Sequence, residues 1–197
     1  MPRMRRRELL KSSASALLAF AAMTAGSAAH AWPGGKSNIE LKKLQVSRSD
    51  DGLLLNYDVR FDLPKEVEDA LIKGVSLVFL AEAETFRSRW YWTDKPRGLA
   101  VRRWRLTYQP LTRQWRLSFD GLSRHYTRLA EALNAMTRGS NWRIADALPN
   151  GDEQDYYVDF KFKLDTDELP RPLQLGFGGQ SEWDLAIERR ISVPPSR

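Results

Sequence analysis

The 197-residue chain contains no cysteine, so no disulfide can brace it and its stability must come from packing. Histidine is nearly absent too: His30 and His125 are the only two. Zinc sites are usually built from three or four histidine and cysteine ligands, so no metal is expected. No apolar run reaches the ~20 residues that a membrane-crossing helix requires. There is no G-x-S-x-G nucleophile elbow. The glycine cluster Gly176–Gly179 lacks the lysine and the strand-to-helix setting of a phosphate loop, and reads as a loop or bulge. Asp152, Glu153 and Asp155, and likewise Asp165, Asp167 and Glu168, lack the glycine and ligand spacing of a calcium loop and read as acidic turns. No low-complexity tract divides the chain.

What is present begins with an address. Arg3, Arg5, Arg6, Arg7 and Lys11 precede an alanine-rich apolar run from Ala14 to Ala25, and small residues lead to Ala29-His30-Ala31. This is the three-part layout of a bacterial export signal, with cleavage expected after Ala31. Residues 1–31 are therefore expected to be a cleaved signal peptide, and 32–197 a single periplasmic β-rich domain. Arg6 to Lys11, "RRELLK", has the form of a twin-arginine signal, but an arginine-rich start also suits the general secretory route. No cysteine follows to carry a lipid anchor, and no transmembrane segment is expected after cleavage.

Charge must be counted without that segment. The net +6 of the whole chain falls to about +2 beyond residue 31, because the signal holds five basic groups and one acid. The excess is local. Residues 85–145 carry thirteen basic groups against Asp94, Asp120 and Glu131, whereas both flanks are acidic. The flanks are expected to neutralise part of the centre within one fold.

Period-two alternation dominates the mature chain. Leu53, Leu55, Tyr57, Val59 and Phe61 fall on one face of a strand, with Asn56, Asp58, Arg60 and Asp62 on the other. Tyr156, Val158, Phe160, Phe162 and Leu164 repeat the pattern. "VSLVFLAEAETF" is apolar on both faces at first and reads as a central strand covered twice. "IELKKLQV" and "EWDLAIERRIS" read as first and last strands. Two helices interrupt. "PKEVEDALIKG" has Pro64 in its first turn, Val67 and Leu71 on one stripe and Gly74 as terminator. "YTRLAEALNAMTRG" spaces Leu129, Leu133 and Met136 helically and is expected to stop at Gly139. The fold class is mainly β: an antiparallel, sandwich-like single domain with two short helices.

The densest chemistry lies in Arg87 to Gln109, "RSRWYWTDKPRGLAVRRWRLTYQ", where three tryptophans and seven basic residues crowd together. Single-stranded nucleic-acid sites interleave arginine and rings in this way, but they need both on one exposed surface. Here "RWRLTY" is echoed by "QWRLSF" across "QPLTR", a hairpin around a proline turn. Alternation sends Trp104, Leu106, Tyr108, Trp115, Leu117 and Phe119 inward, and Arg103, Arg105 and Arg116 outward. Upstream, Trp90 and Trp92 oppose Arg89 and Tyr91. The rings are core, and nucleic acid is excluded. Arg89, Arg103, Arg105 and Arg116 are the candidate partner-binding residues. Their alternative role is internal pairing with acids such as Asp159, Glu82 or Glu84.

"RSRWYWTDK", "WRLTYQPLTRQWRLS", "LAEALNAM", "NWRIAD" and "KLDTDELPRPLQL" together resemble a family of uncharacterised exported proteobacterial proteins, known as a domain of unknown function and sometimes labelled proline-rich signal-peptide protein. The R-x-R-W-Y-W-x-D segment is the most specific part of a likeness that covers nearly the whole mature chain. It implies no catalytic residue. Members encoded beside a two-component sensor kinase imply an envelope-signalling context.

The residues themselves offer little catalysis. His125 with Ser118 or Ser123 would be part of a hydrolytic triad, but a lone histidine at a helix start reads as a surface or capping group. The expectation is a non-enzymatic periplasmic binding or accessory module of the cell envelope, with no cofactor, whose partner is an envelope protein or an anionic lipid surface. The competing expectation is a periplasmic hydrolase with a sparse carboxylate site around Asp94 or Asp165, recognisable by paired carboxylates in a cavity.

Overall fold

The alternating stretches become strands whose apolar faces meet. A computed structural model describes residues 39–88, 94–149, 156–171 and 183–195, all within one compact unit. The chain order is β1 (Ile39–Ser49), β2 (Gly52–Phe61), α1 (Lys65–Ile72), β3 (Leu77–Arg87), β4 (Lys95–Gln109), β5 (Gln114–Phe119) and β6 (Leu122–Tyr126), followed by α2 (Leu129–Thr137), β7 (Arg138–Ala145), β8 (Tyr156–Leu164), a short 3-10 turn (Thr166–Glu168) and β9 (Ala186–Ser192). The strands form two antiparallel sheets, β1-β2-β7 and β6-β5-β4-β3-β8-β9. The protein is mainly β and sandwich-like, with two short helices.

The inward row of β2 is buried from Leu53 to Phe61, and so is the inward row of β8 from Tyr156 to Leu164. Rings from the two sheets interlock: Tyr57 lies 5.0 Å from Phe160, and Phe61 lies 5.6 Å from Phe79 and 5.8 Å from Phe162. Such pairs add specific geometry to the area they bury. In the β4–β5 hairpin Trp104 faces Phe119, Leu106 faces Leu117 and Tyr108 faces Trp115, as the alternation requires. Trp104 and Trp115 are both buried. The Trp90 and Arg89 segment lies outside the described residues.

The central strand β3 is covered on both faces, as its composition demands. Leu77, Phe79 and Ala81 join the core, while Val78 and Leu80 are buried on the other side. There β3 meets the turn after β8, whose Asp165 N–H donates to Val78 O at 2.7 Å. That contact brings two acids onto the outer face of the large sheet.

Both helices close the sandwich. Pro64 precedes α1, Val67 and Leu71 are fully buried, and Gly74 ends it with φ +92°. In α2 the buried residues are Ala132, Met136 and Thr137, with Leu129 and Leu133 only partly covered. Gly139 plays a different part from the expected helix stop. α2 ends at Thr137, β7 begins at Arg138, and Gly139 sits within that strand opposite Tyr57. A Cβ there would overlap the Tyr57 ring, so the glycine is required by packing. His125 likewise lies in a strand, β6, and not at a helix start.

Candidate functional site

The outward side chains of β4, β5 and β6 assemble into one polar face. Strand register fixes its rows: Arg105 stands beside Ser118 and Ser118 beside Ser123, while Thr107 stands beside Arg116 and Arg116 beside His125. Arg103 extends the β4 row beside Leu80 of β3. Arg105 and Arg116 are diagonal neighbours, a relation that places backbones about 7–8 Å apart in an antiparallel sheet. The structure thus brings together three of the four expected arginines. Arg89 lies outside the described residues.

Among the described residues, internal acids reach only one end of this face. Arg103 Nη1 donates to Glu168 Oε1 at 3.0 Å and its Nη2 lies 3.6 Å from Asp165. Arg105 Nη2 lies 3.5 Å from the other oxygen of Glu168. Both arginine side chains remain about half exposed, at 51% and 48%, so these pairs are screened and individually weak. Arg116 meets hydroxyls instead. Its Nε and Nη2 donate to Ser123 Oγ at 3.2 and 3.1 Å, and Ser123 and Ser118 share a hydrogen bond of 2.8 Å. Among the described residues Arg116 has no carboxylate partner.

Two of the acids expected to neutralise the face, Asp159 and Glu82, are occupied elsewhere. Arg190 takes Asp159, Lys163 takes Glu82 at 3.1 Å, and the neutralisation of Arg103 and Arg105 falls to Asp165 and Glu168. The turn after β8 does that work, and its position over β3 is not visible in a linear pattern.

One arginine was hidden by its neighbours. With Arg103 and Arg105 outward, alternation sends Arg102 inward, where its guanidinium lies 4.9 Å from the centre of the Trp142 ring and 5.9 Å from that of Phe119. Tyr57 lies near it. Burial pushes the Tyr57 hydroxyl up to about 12, with the charge of Arg102 acting against the shift. Among the described residues that hydroxyl meets no partner with hydrogen-bond geometry.

The carboxylates of the hydrolase reading are spent on local structure. Asp165 accepts from the Asp167 N–H at 3.3 Å and faces Arg103, while Asp94 accepts from the Tyr157 hydroxyl at 2.6 Å. Ser123 bonds both Ser118 and Arg116, and among the described residues neither serine bonds His125. No three metal-ligating side chains converge among the described residues, and no described helix is long and apolar enough to cross a membrane.

Two facing antiparallel sheets, one of them carrying a basic and hydroxyl-rich outer face, define the class: a mainly β, sandwich-like domain. The chain belongs to the family described as Domain of unknown function (DUF4390), whose model matches residues 36–192. No curated protein and no solved structure matches the chain.

Proposed function

We propose that the protein is a non-enzymatic binding module of the cell envelope, exported to the periplasm by a signal at residues 1–31, and that it docks an acidic segment of another envelope protein. The observation behind this reading is the arrangement of Arg105, Arg116 and His125 on adjoining strands. Internal acids reach one end, and Arg116 is left facing serine hydroxyls. Arginine's planar fork suits carboxylate, and the hydroxyls of Ser118, Ser123 and Thr107 supply neutral hydrogen bonds beside it. Just beyond Arg103 on β4, Leu99 and Val101 stand exposed at 62% and 50%, giving the docked segment apolar area beside the charge. The family resemblance adds a setting, signalling across the envelope beside a two-component sensor kinase.

The test compares capture from envelope extracts by the wild-type chain and by the R103Q/R105Q/R116Q variant, with phosphatidylglycerol vesicles as a parallel probe. The expected result is a discrete protein partner whose capture weakens with salt and is lost in the variant, while the variant melts close to wild type. Equal capture by the variant, or vesicle binding with no protein partner, would overturn the reading. N-terminal sequencing of the exported form should begin at Trp32, and retention of residues 1–31 in a membrane fraction would contradict the export step.

A further inference from the structure

A second polar site lies on the small sheet, where one strand outlasts its neighbour. β7 pairs with β2 only from Leu53 to Asp58, whereas β2 runs on to Phe61 against β1. Beyond Asp58 the space beside β2 is taken by α2, which supplies side chains in place of a strand partner. The result is a cleft of about 440 Å³ walled by Lys42, Asp58, Arg60, Asn134, Thr137 and Arg138. That volume is in the range of small-molecule sites.

The charges in the cleft are unequal. Lys42 falls at the register break in β1, between the paired residues Leu41 and Lys43, and a bulge of this kind re-aims a side chain. It pairs with Glu40 at 2.6 Å, and Arg138 Nε lies 3.3 Å from Asp58. Arg60 is exposed, and its side chain makes no hydrogen bond or ion pair among the described residues. Lys42, Arg60 and Arg138 thus stand among two carboxylates, Asp58 on the wall and Glu40 across the ladder from Arg60, and Arg60 alone is left without an ion pair, carrying the group best shaped for a planar or tetrahedral anion. Asn134 and Thr137 add neutral polar groups on the opposite wall, while Asp58 can accept hydrogen bonds from ligand hydroxyls.

We propose that this cleft binds a small hydroxyl-bearing anion, such as a sugar phosphate or sugar acid, with Arg60 and Lys42 taking the anionic group and Asp58 and Asn134 the hydroxyls. The inference is independent of the docking face on β4, β5 and β6, because it uses none of the same residues.

Titration calorimetry of the full chain with glucose 6-phosphate, glucuronate, glucose and inorganic phosphate tests it, with amide shifts in 59–61 and 134–138 reporting location. Saturable binding of glucose 6-phosphate or glucuronate is expected, with glucose much weaker. Tighter binding of the sugar phosphate than of inorganic phosphate is expected if Asp58 and Asn134 engage hydroxyls. Equal affinity for both phosphates would reject that part of the assignment. Removing one charged hydrogen bond by Arg60→Gln should weaken binding about tenfold or more. Arg60 is exposed, so the variant should melt as wild type does. Absence of saturable binding by both sugar anions, binding unchanged in R60Q and K42Q, or binding lost in R103Q/R105Q/R116Q instead would each overturn the proposal.

Discussion

Arg190 of β9 holds Asp159 of β8 with a two-pronged grip, Nε and Nη2 each donating to a separate carboxylate oxygen at 2.7 Å. The same guanidinium lies 3.9 Å from the centre of the Tyr157 ring, which stacks on Phe86 of β3 at 5.2 Å. The Asp159 pairing raises the Arg190 pKa further still, so the guanidinium keeps its charge at any working pH. A lone surface pair contributes little, but bidentate geometry over a ring holds the outermost strand in register.

Lysine can copy the charge of Arg190 but neither the fork nor the flat face. Arg190→Lys should lower stability by about 1 kcal/mol, or about 2–4 °C in melting temperature for a domain of this size. Hydrogen exchange should locate the loss at β9 amides. Unchanged exchange there would show that the grip does not hold the strand.

Alkaline pH should reach the same cluster through Tyr157. Burial first, and the hydrogen bond to Asp94 second, push its hydroxyl from the ordinary 10.0 up to about 12. The folded value lies above the unfolded one, so this contribution is complete below about pH 10 and is lost as pH rises through about 12. Tyr157→Phe should therefore be less stable than wild type at neutral pH and should lose less between these two values. Identical alkaline losses would assign the titration to other tyrosines, Tyr57 first among them.

Trp104 and Trp115 are structural rings. They are buried on the inward face of the hairpin, with Trp104 stacked on Phe119 at 5.4 Å and Trp115 4.7 Å from Tyr108. Truncating either to alanine should cost about 3–5 kcal/mol, or prevent accumulation. A stable alanine variant that loses only partner capture would place the ring on the docking face and contradict the burial.

The faces of individual strands were legible because alternation is local: one apolar residue in two declares which way each side chain points. That was enough for β2, β8 and the β4–β5 hairpin, and it separated Arg103, Arg105 and Arg116 from the tryptophans. Strand neighbours beyond that hairpin were not legible, because pairing β3 with β8 joins residues about eighty positions apart. Glu168 was accordingly missed as the acid serving Arg103 and Arg105, and His125 was misplaced because β6 is short and exposed up to its last residue, with no buried row to mark it. Gly139 misled for a similar reason. Glycine after a helical run suggests a terminator, and the ring that demands it lies on another strand. The cleft beside β2 depends on where α2 gives way to β7, which no spacing within β2 encodes.

The direct passage from α2 into β7 makes one mechanical unit of two elements. Thr137 and Arg138 adjoin without an intervening turn, and Gly139 is pressed against Tyr57 one residue later. A hinge needs slack, and this joint has none. A molecule lodged between Arg60 and Asn134 would therefore press on the last turn of α2, the end that runs without slack into the small sheet.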